Sequence, residues 1–133
     1  MQGTHLTADL QGCDAALPAM TDTSALRTLC LQAVADAGLQ AVGELFHRFP
    51  TPGGITGVVL LAESHLAVHT WPELGAVTLD VYVCNVGGDN SGRAEALMQT
   101  LLAAFGAGDT PVCRLARGAR RSGQNGAVAR PAA

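Results

Sequence analysis

The spacing of hydrophobic positions changes several times along this chain, and each change marks an element. In "THLTADL", residues 4–10, apolar and polar residues alternate, the period of a strand with one buried face. Over 22–37, Ala25, Leu26, Leu29, Cys30, Ala33, Val34 and Ala37 recur at helical spacing. Asp22 or Thr23 can cap the start of that helix, and Gly38 stands where a C-terminal glycine belongs. A second strand is predicted over 40–49, then turn chemistry in "TPGG" at 51–54. "ITGVVLL", 55–61, is the β-branched apolar run of a buried strand. Two more strands follow over 65–71 and 76–84, with Pro72, Glu73 and Gly75 marking the turn between them. The loop "GGDNSG" at 87–92 supplies Asn90 or Ser91 as cap for an amphipathic helix over 93–105. "GAGDTP" ends that helix, and 112–118 reads as a short last strand. The remainder is small, polar and basic, so a domain over 1–117 with a disordered tail over 118–133 is expected. Helices inserted into a run of hairpin-connected strands predict an α/β (α+β) two-layer sandwich, its sheet mostly antiparallel and its helices packed on one face.

Composition narrows this picture. A chain of 133 residues fits one domain and can bury a core without staples. Hydrophobic residues make up 48% and aromatics only 4%, so Ala, Val and Leu must build that core. A net charge of −3 lacks the clustered basic footprint of a nucleic-acid partner. No apolar run reaches the roughly 18 residues of a spanning helix, so no membrane partner is expected. "MQGTHLTADL" has no basic-then-apolar leader pattern, which favours a cytoplasmic location. Cys13, Cys30, Cys84 and Cys113 form no CxxC pair, and a disulfide framework is not expected. Cys13, Cys30 and Cys113 read as small buried or half-buried fillers.

Polar chemistry concentrates in "AESHLAVHTWPE", 62–73. Strand alternation puts His65, Ala67 and His69 on one face, and Leu66, Val68 and Ser64 on the other. Two histidines four apart can bind metal on a helix. Here the context is that of a strand and no third ligand follows, so no metal is expected. His65 by itself reads as a side chain bonded to a backbone carbonyl. His5, His47 and the cluster from Arg117 to Arg121 read as surface or solvated groups.

"FHRF" at 46–49, "ITGVV" at 55–59, "ESHLAVHTWPE" at 63–73 and "DVYVC" ending at Cys84 together resemble the bacterial S-adenosylmethionine decarboxylase proenzymes, from "HLTADL" to about residue 117. The resemblance implies a chain that cuts itself between Glu63 and Ser64. The Ser64 hydroxyl would attack the preceding carbonyl, and elimination from the resulting ester would leave residue 64 as a covalent pyruvoyl group. A pyruvoyl ketone condenses with a substrate amine and accepts electrons as CO₂ leaves, the sink role of such cofactors. By the same resemblance His69 is the proton acceptor in processing and Thr56 the processing hydroxyl. Cys84 is the proton donor in decarboxylation; a thiol with a pKa near about 8.5 is largely protonated yet able to donate. Phe49 would stack on adenine, Trp71 wall the site, and Glu73 accept ribose hydroxyls. The implied assembly is a dimer with sites at its interface. The implied product is the decarboxylated aminopropyl donor of spermidine synthesis.

The chain departs from the family pattern near the implied substrate. "PELGAVT" stands for "PEYGYAA", giving Leu74, Ala76 and Thr78; Asn85 replaces the glycine after the cysteine; and "TPGGIT" carries an extra residue. Lost aromatic surface reduces stacking, worth about 1–3 kcal/mol per base. An alternative substrate is therefore arginine or ornithine, with Glu44, Glu73 or Asp80 as the acidic end of the pocket. A third reading is a non-catalytic, unprocessed partner subunit, against which intact Ser64, His69 and Cys84 stand.

Overall fold

Alternation decides which side of each strand meets the core. The computed structural model describes residues 1–118, and the expected tail from 119 onward lies outside them. Its elements are β1 (Gly3–Leu10), α1 (Pro18–Thr21), α2 (Thr23–Asp36), β2 (Ala41–Arg48), β3 (Ile55–Leu61), β4 (Ser64–Trp71), a 3₁₀ turn (Pro72–Leu74), β5 (Ala76–Cys84), α3 (Ser91–Ala104) and β6 (Cys113–Arg117). The strands form one sheet in the order β2-β3-β4-β5-β1-β6, with every neighbouring pair antiparallel. The two-layer expectation holds, and the sheet is wholly rather than mostly antiparallel among the described residues.

One face of the sheet carries Leu6, Ala8 and Leu10 of β1, Val59 and Leu61 of β3, Leu66 and Val68 of β4, and Val77, Leu79, Val81 and Val83 of β5. They pack against Leu26, Cys30 and Val34 of α2 and Leu97, Met98, Leu101 and Leu102 of α3. Each fully buried aliphatic side chain contributes about 1.5–3 kcal/mol relative to exposure. The opposite face carries half-buried Thr56, Val58, His65, Ala67, His69, Thr78, Asp80 and Tyr82. That face is where the polar residues of the odd stretch point.

Local chemistry sets the boundaries. Asp22 caps α2, accepting from the amides of Ser24 at 2.9 Å and Ala25 at 3.3 Å. Gly38 ends it with φ 79°, a left-handed conformation that costs glycine little. Gly57 leaves room for the Phe46 ring, which lies 2.2 Å from where a Cβ would stand. Sequence spacing missed α1, only one turn long and begun by Pro18. Cys13 and Cys30 are buried fillers as expected, but Cys113 is exposed. It lies on β6, which among the described residues is an edge strand paired only with β1 and exposed along its whole length.

Candidate active site

Two constellations occupy opposite ends of β4. The first surrounds the tight β3–β4 hairpin. Leu61 faces Ser64 across it, so Ala62 and Glu63 make the whole connection. Glu63 has φ 56° and is the only non-glycine residue with positive φ among the described residues. That conformation is uncommon for a side chain with a Cβ, and it falls on the residue before Ser64. The Ser64 hydroxyl oxygen accepts a hydrogen bond from the Cys84 amide at 3.0 Å. Cys84 is 7% exposed, and its carbonyl accepts from the Asn90 side chain at 2.8 Å. The Asn85 side-chain oxygen in turn accepts from the Asn90 amide at 2.8 Å. Asn85 therefore faces Thr4, Ser91 and the start of α3, not the open face. Its departure from the family pattern braces the loop after Cys84.

The second constellation lies at the other end of β4. The Thr56 hydroxyl and His69 Nδ1 are 3.0 Å apart, on directly paired positions of β3 and β4. Either group can donate in this contact; in the tautomer where Nδ1–H donates to Thr56, Nε2 keeps its lone pair, the form a general base requires. Trp71 lies beside His69, ring centroids 5.8 Å apart. Phe49, Thr56, His69, Trp71 and Glu73 line one cavity of about 170 Å³. Thr70 holds its wall together from the core side: its hydroxyl donates to the Met20 carbonyl at 2.8 Å and accepts from the Ile55 amide at 2.9 Å. Gly54 borders the same cavity, where a Cβ would come within 2.5 Å of the Thr70 carbonyl. Thr70 was missed by sequence reasoning. Its signal was a hydroxyl at a core-facing position, which demands a buried partner.

The structure thus brings Ser64 together with Cys84, and Thr56 and His69 together with Phe49, Trp71 and Glu73. It does not bring the two groups together. Ser64 and His69 are five residue steps apart along the strand, roughly 17 Å at the usual rise, and their side chains leave opposite faces. The expectation of His69 beside the Ser64 α-proton fails within one chain, because an extended strand carries the two apart.

Other expectations change as well. Among the described residues His65 meets no carbonyl; its Nε2 lies 3.4 Å from Asp80 Oδ1. His5 is no surface group, since its Nε2 lies 2.5 Å from the same oxygen and Arg117 reaches its Nδ1 at 2.8 Å. Arg117 is exposed, as expected of a surface group, and also bonded to His5, whereas Arg120 and Arg121 of that cluster lie outside the described residues. His47 is exposed beside Phe49, centroids 4.6 Å apart. Of the three carboxylates offered for an acidic pocket end, Glu44 pairs with Arg27 of α2 on the helix side. Asp80 is taken by the histidines, which leaves Glu73 alone on the cavity. Burial pushes the Cys30 thiol up to about 12 and raises that of Cys13, which disfavours the thiolate at both.

A model of the S-adenosylmethionine decarboxylase family matches residues 4–118. The chain belongs to the S-adenosylmethionine decarboxylase family. It is 36% identical over 116 residues to an S-adenosylmethionine decarboxylase proenzyme of Syntrophomonas wolfei, covering 87% of this chain and 86% of that one. To the proenzyme of Acidithiobacillus ferrooxidans it is 38% identical over 116 residues, covering 87% and 82%. To that of Acetivibrio thermocellus it is 40% identical over 82 residues, which span 62% of this chain and 64% of the relative. The crystal structure of the adenosylmethionine decarboxylase from Aquifex aeolicus superimposes with a TM-score of 0.74 at 34% identity, covering 92% of this chain and 96% of that one. Among the described residues no helix is long and apolar enough to cross a membrane.

Proposed function

We propose that this chain is a self-processing, pyruvoyl-dependent decarboxylase of S-adenosylmethionine, working as a dimer of processed chains. The observation that carries the reading is Ser64 itself. It stands at the mouth of a two-residue turn, behind the strained Glu63, with its oxygen held by the Cys84 amide. An accepted N–H bond leaves the hydroxyl proton free to be lost and orients the oxygen. The positive φ of Glu63 adds about 1 kcal/mol or more of strain at the scissile peptide. Both features favour transfer of the Glu63 acyl group from the Ser64 nitrogen to its oxygen. A pyruvoyl group at residue 64 supplies the electrophilic ketone and the electron sink for loss of CO₂. Cys84, on the strand next to residue 64, then returns a proton.

The base then comes from a second copy. His69 and Thr56 lie roughly 17 Å along the strand from their own Ser64. A cavity of about 170 Å³ is also smaller than the roughly 300–1,000 Å³ of most small-molecule sites. An isologous two-fold pairing of the open sheet faces supplies both missing parts, laying the Ser64 end of one chain against the His69 end of the other. The exposed apolar side chains Leu45 and Leu60 give that face area to bury. Phe49 and Trp71 then wall the substrate base, and Glu73 accepts its hydroxyls.

The denatured intact mass tests this reading. Wild-type protein should give two fragments split at Glu63–Ser64, the downstream one lighter than its serine form by the loss of ammonia. Ser64→Ala should give one full-length, inactive chain. A wild-type chain that stays whole after long incubation would instead identify a non-catalytic partner subunit.

A further inference from the structure

His5, His65 and Asp80 place one ligand atom each within 4.8 Å of one another on the open face, a grouping that no sequence motif joins. A metal is the first thought, but the tautomer opposes it. The Arg117 guanidinium donates to His5 Nδ1 at 2.8 Å, so that nitrogen holds a lone pair and Nε2 carries the proton. Nε2 donates to Asp80 Oδ1 at 2.5 Å. A metal-bound histidine has the reverse arrangement, its free nitrogen donating outward. The same oxygen of Asp80 faces His65 Nε2 at 3.4 Å. Tyr82 fills the space between, with centroids 5.6 Å from each imidazole and the Arg117 guanidinium carbon 5.4 Å above its ring.

We propose that Asp80 is a positioning residue for the reaction centre at residue 64, clamping His65, its only covalent neighbour after self-cleavage, to His5 on the released upstream chain. The inference rests on the self-processing reading above. Maturation removes two of the holds on residue 64. Acyl transfer moves the Glu63 acyl group onto the Ser64 oxygen. Removal of the Cα proton then breaks the Cβ–O bond, and the oxygen departs as part of the Glu63 carboxylate. Water replaces the nitrogen of the resulting dehydroalanine as ammonia leaves. The hairpin is then open and the Cys84 amide has lost its acceptor. Residue 64 has become a chain end, where fraying concentrates. Ladder pairing to Leu60 and Tyr82 holds the His65 backbone. The Asp80 bridge holds its side chain, and through His5 it spans the two chains that cleavage creates.

Asp80→Ala and Asp80→Asn test this in the full-length enzyme beside wild type, by intact mass, steady-state kinetics and the fraction of residue 64 converted to alanine during turnover. The expected result is normal cleavage, kcat lowered about 10- to 100-fold with KM changed less than about threefold, and more alanine formed per turnover. Asn retains one acceptor and should lie between Ala and wild type. Asp80→Glu should restore part of the rate. A wild-type kcat in Asp80→Ala, an effect on KM alone, or a folded variant that fails to cleave would each overturn the proposal. So would stoichiometric Zn²⁺ binding, followed by calorimetry, that His65→Ala abolishes. If wild type itself stays uncleaved, the self-processing reading fails, and the clamp fails with it.

Discussion

The two ends of β4 are built on opposite principles. At the Ser64 end there is a tight turn with a strained residue and a buried thiol, and the loop behind it is braced by Asn85 and Asn90. At the His69 end there is a concave surface with aromatic walls, a histidine paired with a hydroxyl, and an exposed carboxylate. In the proposed mechanism the first end breaks a bond in its own backbone and offers little surface to a ligand, while the second takes a proton and holds a ligand but contains no bond to break. In the proposed dimer the two halves of the site therefore come from different chains. Residues five apart in a motif are neighbours in sequence and, in a strand, are strangers in space.

The largest effect that separates the ends is on turnover. Cys84→Ala should leave cleavage intact, because its amide rather than its thiol contacts Ser64. It should lower kcat by about 100-fold or more, the range of a lost acid catalyst. Rapid conversion of the cofactor to alanine, read by mass, should accompany the loss. An unchanged kcat would remove Cys84 from the proton-donor role. A smaller effect belongs to the cavity end. Trp71→Ala should raise KM about 10-fold, the equivalent of about 1.4 kcal/mol of binding, and leave the cleaved fraction unchanged. A drop in cleavage without a change in KM would mean that Trp71 supports His69 rather than substrate.

The smallest effect lies away from both ends, on the covered face. Cys30 is fully buried, with its thiol pushed from 9.0 to about 12. The folded-state value is raised, so the unfolded chain ionises first, and stability is full below about pH 9 and falls as pH rises toward 12. The slope is about 1.4 kcal/mol per pH unit. Urea midpoints of Ser64→Ala protein should therefore fall more steeply over this window than those of the Ser64→Ala, Cys30→Ala pair. Activity at neutral pH should not change with Cys30→Ala. Equal slopes would show that Cys30 meets solvent.

Much of this was legible in the sequence because strand alternation and helix caps are local. The burial of Leu66 and Val68 against the exposure of His65 and His69 follows from a period of two, and the Asp22 cap from its place before an apolar run. The motif residues were legible through resemblance. What was not legible depends on register and edges. The His5–Asp80 pair needs β1 and β5 side by side, which no spacing announces. The exposure of Cys113 needs β6 to be an edge. The separation of Ser64 from His69 could have been computed from the rise of a strand, but a compact motif invites the assumption of a compact site.

Complementation between two inactive variants tests the shared site most directly. Ser64→Ala and His69→Ala chains, carrying different affinity tags, are produced separately and together, and mixed dimers are isolated through both tags. The account predicts full-length mass for each variant alone. In the mixed dimer, the His69→Ala chain should be cut at Glu63–Ser64, because its Ser64 end then lies against the intact His69 of the other copy. Cleavage of His69→Ala alone, or no cleavage in isolated mixed dimers, would contradict it.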